Sequence, residues 1–421
     1  MTKTLVQAIK DYSIPMNGKE DLNTLIQEVQ NHKYVLLGES SHGTSEFYEI
    51  RTELTKKLIV EKGFSFIAVE GDWPACQVVN QYIKGYSNKY ATARDVLKSF
   101  NRWPTWMWAN EEIIELVEWL KRYNVKQPYD KKVGFYGIDI YSLWESMDEI
   151  IKYLEKRNSP DLETARKAFA CFDPFNRDAE KYALSASFYN EGCHEEVSKL
   201  LTELSIKKHQ FTDSEESSLN LEVNSLITAN AENYYRTMIT NDNESWNIRD
   251  RHMVEVLTKI DSYFNHQAKG IIWEHNTHVG DARATDMVKE SIVNVGQILR
   301  EKLGNEELYI VGFGTNRGTV IAADEWGVNF EKMTVPPGVP GSWEDVMHQA
   351  GAHDKILVFT EENKHLFSDT IGHRAIGVVY NPQYEQYGNY VPSVMSDRYN
   401  AFVFVDCSRA LSPLEVGKVL I

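Results

Sequence analysis

The sequence lacks long apolar runs and an excess of basic residues. No apolar run approaches the roughly 20 residues that a membrane-spanning helix needs. The first segment, MTKTLVQAIKDYSIPMNGKEDLN, has no apolar core like that of a signal peptide. The formal net charge of −16 at pH 7 argues against nucleic acid and anionic membrane surfaces as partners, because basic patches bind both. We therefore predict a cytoplasmic protein that binds neither nucleic acid nor membranes.

The chain is also poor in cysteine. Its four cysteines, Cys76, Cys171, Cys193 and Cys407, are far apart and include no CxxC pair. This usage fits a reduced protein of the cytoplasm. We expect all four to be ordinary packing or surface residues.

Two motifs of common enzyme classes are missing. A nucleophile elbow, G-x-S-x-G, centred on Ser40 requires glycine where the chain has His42. We therefore do not expect Ser40 or Ser41 to be a covalent nucleophile. The glycine-rich segment GFGTNRG at 312–318 lacks the spacing of a dinucleotide fingerprint or of a P-loop. We predict no nucleotide cofactor.

Strand-like and helical segments alternate along most of the chain. A hydrophobic fraction of 42% and a charged fraction of 25% are ordinary for a globular protein. The alternation predicts an α/β fold with a mostly parallel central sheet flanked by helices. Strand-like runs vanish between about 144 and 266, where the apolar spacing is helical. We therefore predict an α/β catalytic core at 1–143 and 267–421, with an inserted all-helical subdomain at 144–266.

Four of the strand-like runs end on an acid, a base or both. They are YVLLGESSH, FSFIAVEGD, VGFYGIDIY and GIIWEHNTH. Open parallel sheets bind ligands at the carboxyl ends of their strands, so we expect these acids and bases to form an active site. The residues predicted to converge are Glu39, His42, Glu70, Asp139, His275 and His278.

Several of these positions have more than one interpretation. Glu39 can fix the tautomer of His42 and raise its basicity, although His42 could instead cap the next helix. A charged residue such as Glu70 after a buried strand is costly unless it has a partner or a task. Arg51 could form a surface salt bridge or stabilise an oxyanion. Asp139 could orient a histidine or cap a helix.

The two histidines in HNTH are three residues apart. Both could face a metal ion, or one could be catalytic and the other structural. Dedicated zinc motifs have more ligands at tighter spacing. A metal site would therefore need His275 and His278 together with Glu39, His42 and Glu70.

Tryptophan is concentrated in loops that follow strands. Core packing is the default for this residue, but Trp103, Trp106 and Trp108 fall within six residues around Pro104. With Trp73, they predict an apolar wall over a pocket for a bulky ligand with hydrophobic or sugar-like faces.

The chain resembles the erythromycin esterase family over nearly the whole predicted α/β part. The resemblance rests on LLGESSHGTSEFYEIR, FIAVEGDWPACQVVNQYI, NRWPTWMW, FYGIDIYSL, WEHNTH, RAIGVVYNP and the PGSWEDVMH loop. It implies hydrolysis by direct attack of water, with no covalent enzyme intermediate, no cofactor and no required metal.

The resemblance also implies roles for individual residues. His42 would be the general base that activates water, and Glu39 and Glu70 would position and polarise that base and the water. The residues that would support the site or stabilise the oxyanion are Arg51, His275 and His278.

The substrate implied is a small-molecule ester or lactone, with or without attached sugars. Members that open macrolide lactones are a minority of the family, and many relatives carry the name succinoglycan biosynthesis protein. The NRWPTWMW segment makes this chain more similar to that broad group than to a dedicated antibiotic-resistance enzyme.

Two other hypotheses stay open. The first is a metal-dependent hydrolase with His42, Glu70, His275 and His278 as ligands. The second is a protein that binds a bulky sugar-like or hydrophobic ligand without turnover.

Overall fold

The computed structural model describes residues 2–189, 192–206, 216–417 and 419. The strands are β1 (Ser13–Pro15), β2 (Tyr34–Leu37), β3 (Phe66–Asp72), β4 (Gly134–Asp139), β5 (Gly270–Trp273), β6 (Leu308–Ala322), β7 (Glu331–Val335), β8 (Lys355–Val358), β9 (Thr370–Arg374), β10 (Tyr390–Val394) and β11 (Ala401–Ser408). The helices are α1 (Thr2–Tyr12), α2 (Asn23–Glu28), α3 (Ser45–Lys62), α4 (Trp73–Lys84), α5 (Ala93–Leu97), α6 (Glu111–Val125), α7 (Leu143–Lys156), α8 (Leu162–Phe169), α9 (Ala179–Tyr189), α10 (His194–Ile206), α11 (Ser217–Met238), α12 (Asp242–Tyr263), α13 (Asn276–Val279), α14 (Val295–Leu303), α15 (Trp343–Gln349), α16 (Glu385–Gly388) and α17 (Met395–Arg398).

One large sheet runs through the α/β part. Its strand order is β1-β8-β11-β6-β2-β5-β3-β4, and β7 pairs with the end of β6. The pairs β11–β6, β6–β2 and β2–β5 are parallel, whereas β8 runs antiparallel to β11 and to β1. The predicted α/β class, with a mostly parallel sheet flanked by helices, is therefore confirmed.

The central strands are apolar because both of their faces are covered. All four residues of β2 and all four of β5 are buried, as expected for parallel strands between layers of helices. Polar residues follow each strand: they begin at Glu39, after Gly38, behind β2, and at Glu274 behind β5. Helix α3 follows the first of these polar loops. It ends at Lys62 and is capped by Gly63, whose φ of 72° favours glycine.

The chain divides into two compact units. The first comprises 1–68, 82–134 and 269–421, and the second comprises 69–81 and 135–268. Between 144 and 266 the described residues form helices and no strand. The second unit extends past both ends of this segment, and the domain bounds derived from the sequence stay a prediction.

The second unit contains a disulfide that the sequence analysis did not expect. Cys171 and Cys193 are bonded, with their Cα atoms 5.8 Å apart. The expectation for these two residues is wrong because it considered only local spacing. Cys171 lies in the turn after α8 and Cys193 directly precedes α10, so elements distant in sequence bring them together. Cys76 is buried and Cys407 is exposed, as expected.

The helices vary in length from 4 to 22 residues. Within the described part of the chain, none of them is both long enough and apolar enough to cross a membrane.

Candidate active site

The loop after β2 carries the first two candidate residues, and it is held by backbone hydrogen bonds. The Glu39 carbonyl accepts from the Asn276 N–H at 2.8 Å, and the Gly43 carbonyl accepts from the Ile321 N–H at 3.0 Å. Within this loop, Nδ1 of His42 lies 2.9 Å from Oε1 of Glu39. Both side chains are buried, so the imidazole and the carboxylate form an enclosed pair.

Two glycines allow the loop to pack this closely. A β-carbon at Gly38 would lie 2.1 Å from Oδ1 of Asn276. A β-carbon at Gly43 would lie 1.9 Å from the carbonyl oxygen of Ile321. Neither distance is compatible with a side chain, so these positions exclude other residues for reasons of space.

Arg51, on α3, binds the second oxygen of Glu39. Its Nη2 donates to Oε2 at 2.5 Å, and its side chain is 0% exposed. The guanidinium carbon lies 4.5 Å from the ring centre of Tyr48 and 4.6 Å from that of Trp273. Such cation–π contacts stabilise an enclosed cation. The interpretation of Arg51 as a surface salt bridge is therefore wrong, because aromatic rings enclose the guanidinium.

This chain of contacts determines the tautomer of His42. Arginine stays protonated, and a carboxylate paired with it can only accept hydrogen bonds. Nδ1 of His42 must therefore carry the proton that it shares with Glu39, which leaves the lone pair on Nε2. The hydroxyl of Tyr48 donates to the His42 carbonyl at 3.0 Å, so the backbone of the histidine is fixed as well. The imidazole of His42 is thus held in a fixed orientation.

His275 lies directly beside His42. The centres of the two rings are 4.9 Å apart. His275 precedes α13, and its Nδ1 accepts from the Thr277 N–H at 3.3 Å. His278 is buried within α13, and its N–H donates to the His275 carbonyl at 2.9 Å. The structure thus brings together Glu39, His42, Arg51 and His275, and places His278 one helical turn after His275.

Asn276 connects the two loops and was missed by the sequence analysis. Its side-chain amide donates to the Phe313 carbonyl at 2.6 Å and accepts from the Phe313 N–H at 3.2 Å. Its carbonyl accepts from Nη2 of Arg398 at 3.0 Å. Asn276 therefore attaches the turn that contains His275 to Phe313 of β6.

A buried histidine and carboxylate support this amide. Nε2 of His373 lies 3.2 Å from Nδ2 of Asn276, and Nδ1 of His373 lies 2.7 Å from Oε1 of Glu344. Burial lowers the pKa of His373 despite the nearby carboxylate, so the imidazole is neutral and donates from Nδ1. Glu344 lies in the PGSWEDVMH segment, which carries the family resemblance, and His373 directly precedes the RAIGVVYNP segment. They were missed because neither directly follows a strand.

In the second unit, two predicted residues share one cation. Glu70 follows the apolar stretch of β3 and Asp139 ends β4, and both bind Arg249 of α12. Burial opposes ionisation of Asp139, but the charge and hydrogen bonds of Arg249 outweigh it and lower the pKa of Asp139. The carboxylate of Asp139 thus has a partner that neither interpretation of this residue included.

All four tryptophans of the predicted wall are buried. Trp103 donates from its indole N–H to the Val328 carbonyl at 2.8 Å and contacts Trp326, with ring centres 4.4 Å apart. Trp326 is 58% exposed. The exposed aromatic surface is therefore formed by the loop between β6 and β7, with Trp103 beneath it.

The donor groups do not resemble a metal site. Among the residues that the structure describes, no group of three or more His, Cys, Asp or Glu side chains is placed to hold a metal ion together. Of the four ligands in the metal hypothesis, Glu70 already has one carboxylate oxygen engaged by Arg249.

A buried carboxylate–histidine pair in the loop after a central parallel strand is typical of an enzyme that moves protons. The sequence model of the erythromycin esterase family matches residues 59–408, and the chain belongs to this family. The family match and the names of relatives support hydrolase activity for the chain.

Two relatives illustrate the range of similarity. YbfO of Bacillus subtilis (strain 168), which is named as a hydrolase, is 21% identical over 413 residues, covering 92% of this chain and 86% of that protein. Erythromycin esterase type II of Escherichia coli is 30% identical over 138 residues, which covers 31% of this chain and 30% of that protein.

Solved structures share the fold at low identity. A protein from Bacillus cereus has a TM-score of 0.81 and 18% identity, covering 99% of this chain and 100% of that one. A succinoglycan biosynthesis protein has a TM-score of 0.78 and 19% identity, covering 98% of each chain. A mutant of the erythromycin esterase EreC in its open conformation has a TM-score of 0.69 and 16% identity, covering 96% and 97%.

Proposed function

We propose that the chain hydrolyses a carboxylic ester or lactone by direct attack of a water molecule that His42 activates. The observation that carries this proposal is the continuous contact from Arg51 through Glu39 to Nδ1 of His42. It leaves Nε2 of His42 as a base of fixed orientation. A base must lie within hydrogen-bond reach of the proton that it takes, and Nε2 would take that proton from water.

The proposed reaction has two steps. In the first, the oxygen of water attacks the carbonyl carbon and its proton passes to Nε2 of His42, which gives a tetrahedral oxyanion. In the second, the bond to the alkoxide breaks and His42 returns the proton to the leaving oxygen. Glu39 stabilises the imidazolium that forms between these steps, as the carboxylate does in a catalytic triad.

The other predicted residues take supporting roles in this proposal. Glu70 positions the base and the water. His275, whose ring lies against that of His42, and His278 stabilise the oxyanion or support the site. Arg51 supports the site through Glu39, its hydrogen-bonding partner.

The serine contacts support attack by water over a covalent mechanism. A serine nucleophile needs a base within hydrogen-bond reach. Oγ of Ser40 is buried without a hydrogen-bond partner among the described residues. Oγ of Ser41 lies 2.5 Å from Oγ1 of Thr44. Neither hydroxyl therefore makes the contact with a base that an activated nucleophile needs.

We further propose a cytoplasmic enzyme whose substrate is a small-molecule ester or lactone, with or without sugars, and whose partners do not include nucleic acid. Macrolide lactones are one class to be tested, because one relative is named as an erythromycin esterase. A role in antibiotic resistance or in succinoglycan biosynthesis would follow only from the substrate that is found.

The test is hydrolysis of a panel of aryl esters, macrolides and other lactones by the wild type and by His42→Ala, with and without a chelator. His365→Ala is the matched control, because His365 is exposed. We expect turnover that survives the chelator, persists in the control and is lost in His42→Ala. Full activity of His42→Ala would show that the base is assigned wrongly. Labelling of Ser40 or Ser41 by a serine-directed inhibitor, with loss of turnover, would contradict direct attack by water.

The same panel separates the two other hypotheses. Loss of turnover with the chelator and recovery with an added divalent metal ion would indicate the metal-dependent hydrolase. Binding of a panel member without any product, unchanged in His42→Ala, would indicate the binding protein.

A further inference from the structure

We infer that Trp326 determines specificity for substrates that carry a sugar. Its exposed indole is a platform on which a sugar ring, attached to the ester or lactone, stacks. This inference rests on the proposed function, and it concerns the part of the substrate that lies away from the bond to be broken. Trp326 belongs to the loop between β6 and β7, outside all the segments that carry the family resemblance.

The platform is supported by buried aromatic rings. Trp326 is 58% exposed, and the centre of its ring lies 4.4 Å from that of Trp103. The ring of Trp103 lies 5.5 Å from that of Trp106, which lies 5.4 Å from that of Phe330. The indole N–H of Trp103 donates to the Val328 carbonyl at 2.8 Å. The loop is therefore attached on both sides of Trp326, and a ring held in this way loses little freedom when a ligand binds.

The platform lies beyond the same edge of the sheet as His42. Strand β6 pairs with β2 and then continues past the end of that strand. Near its own end, Ile321 donates its N–H to the carbonyl of Gly43, the residue after His42, at 3.0 Å. The five residues from Ile321 to Trp326 span at most about 18 Å of extended chain. A sugar on a bulky substrate bound at His42 can therefore reach Trp326.

The tryptophan-rich segment is attached to the loop of His42 by a second route. The ring centre of Trp108 lies 6.2 Å from that of Tyr48, and the hydroxyl of Tyr48 donates to the His42 carbonyl at 3.0 Å. All of these residues, with Trp103 and Trp326, lie in the first compact unit. The separation of the platform from the proposed base is therefore a property of one folded unit.

The polar groups beside Trp326 fit a sugar better than a purely apolar ligand. Asp324 and Glu325 directly precede Trp326, Asn329 follows it, and all three are exposed. The face of an aromatic ring is electron-rich and attracts the C–H groups of a sugar ring. Carboxylate and amide oxygens accept hydrogen bonds from its hydroxyls. A ligand without polar groups would desolvate these oxygens without compensation.

The size of the patch fits one ring and not a second protein. Apart from Trp326, its apolar members are Val328 and Phe330, which are 36% and 37% exposed. Three partly exposed side chains offer far less than the roughly 800 Å² that each partner buries in a stable interface. In a two-fold pair of this chain, the same surface patch meets itself, so Asp324 and Glu325 of both copies would repel each other.

The kinetic test compares a glycosylated lactone of the panel with the same lactone without its sugars. We expect Trp326→Ala to raise KM for the glycosylated lactone by roughly 3- to 10-fold, which is the effect of losing one aromatic contact. The value of kcat should not change, because the platform binds the ground state and the transition state equally. KM for the sugar-free lactone should stay the same. Trp326→Phe keeps an aromatic face and should recover most of the affinity.

Trp119→Ala is the matched control. Trp119 lies on α6, is partly exposed and stacks on Tyr123, with ring centres 5.1 Å apart. We expect wild-type KM values for both lactones. An equal rise in KM for the two lactones in Trp326→Ala would show that the platform does not bind the sugar, and it would overturn the inference. Wild-type KM values for both in Trp326→Ala would overturn it as well.

A binding test needs no turnover and separates this inference from the proposed function, which fails on His42→Ala. Saturation-transfer NMR is recorded with the methyl glycosides of glucose, galactose, mannose and rhamnose. We expect at least one sugar to receive saturation from the wild type, from His42→Ala and from Trp119→Ala, but not from Trp326→Ala. Transfer to none of the four, or transfer that persists in Trp326→Ala, would overturn the inference. So would an oligomer that Trp326→Ala dissociates, because a second copy would then occupy the platform.

Discussion

At the residue scale, Glu39 connects the buried cation of Arg51 to His42, the residue that we propose as the base. Its two oxygens contact Arg51 and His42, so the state of one partner affects the other. Arg51→Met would leave a buried carboxylate without its cation, and we expect this to cost about 3–5 kcal/mol of unfolding free energy and to lower kcat/KM by roughly 10²-fold. Urea unfolding and the ester panel measure the two effects.

Arg409→Met is the control for Arg51→Met. Arg409 also pairs with a carboxylate on α3, Glu46 at 2.6 Å, but its side chain is 67% exposed. Exposed ion pairs contribute little to the unfolding free energy, so we expect Arg409→Met to have nearly wild-type stability and activity. An Arg51→Met variant that behaves like this control would contradict the support assigned to Arg51.

Gly38 is the second residue for which a single change has a definite outcome. A methyl group at this position would overlap Oδ1 of Asn276, so Gly38→Ala should lower the unfolding free energy by about 1–3 kcal/mol. Gly18→Ala is the matched control, because nothing lies within 4 Å of a β-carbon there. Equal urea midpoints for the two variants would show that the loop adjusts without cost.

The sequence predicted some residue contacts and not others, for physical reasons. Glu39, His42 and His275 were chosen because they follow strands, and parallel neighbours bring such residues to the same edge. Arg51 was named, but its enclosure was not predicted. Its position depends on the aromatic rings of Tyr48 and Trp273, which come from different elements.

At the element scale, it was harder to predict which helices and strands support the candidate site. Glu344 lies within α15 and His373 within β9, so a search limited to the ends of strands could not select them. Their contact with each other and with Asn276 exists only because helix, strand and turn pack together. A rule based on strand ends finds residues that line the edge of the sheet. It misses residues that bind and position those residues from other elements.

The disulfide between the turn after α8 and the start of α10 gives the prediction at this scale. A disulfide that closes a loop of 22 residues should raise the unfolding free energy by about 2–4 kcal/mol. We expect the Cys171→Ser, Cys193→Ser double variant to lose this amount in urea unfolding under oxidising conditions. Cys407→Ser is the control, because Cys407 is an exposed free thiol. Under a reductant, the difference between the wild type and the double variant should become smaller, and an undiminished difference would contradict this account.

At the scale of the whole molecule, the class of fold was predictable because it depends on a repeated pattern. Apolar strands and helices of the right spacing alternate along most of the chain, and they form the mostly parallel sheet. The division into two compact units was harder to predict from the sequence. Residues 69–81 group with 135–268 in the second unit, and such grouping depends on contacts between distant segments and not on any local change in composition.

The stability of the molecule should depend on pH through a buried histidine. Burial lowers the pKa of His252 from 6.5 to about 4, so between these values the unfolded chain binds a proton that the folded chain does not. The unfolding free energy is therefore unaffected by His252 above about pH 6.5, and it declines as the pH falls to about 4. A shift of this size corresponds to a loss of about 3 kcal/mol. Urea unfolding between pH 4 and 7 measures it.

His252→Asn should reduce this dependence, because asparagine does not titrate. His365→Ala, at an exposed site, should keep the slope of the wild type. A slope that is the same in His252→Asn and in the wild type would assign the dependence to other groups.

The close packing of Gly38 against Asn276 also constrains how such a chain can evolve. The amide of Asn276 fills the space that a β-carbon at position 38 would need, so position 38 cannot take a larger residue while Asn276 is present. A larger residue at position 38 becomes acceptable only after position 276 has become smaller, and that first step removes the bonds to Phe313. The order in which the two positions can change is therefore restricted, and this restriction is itself a barrier to divergence.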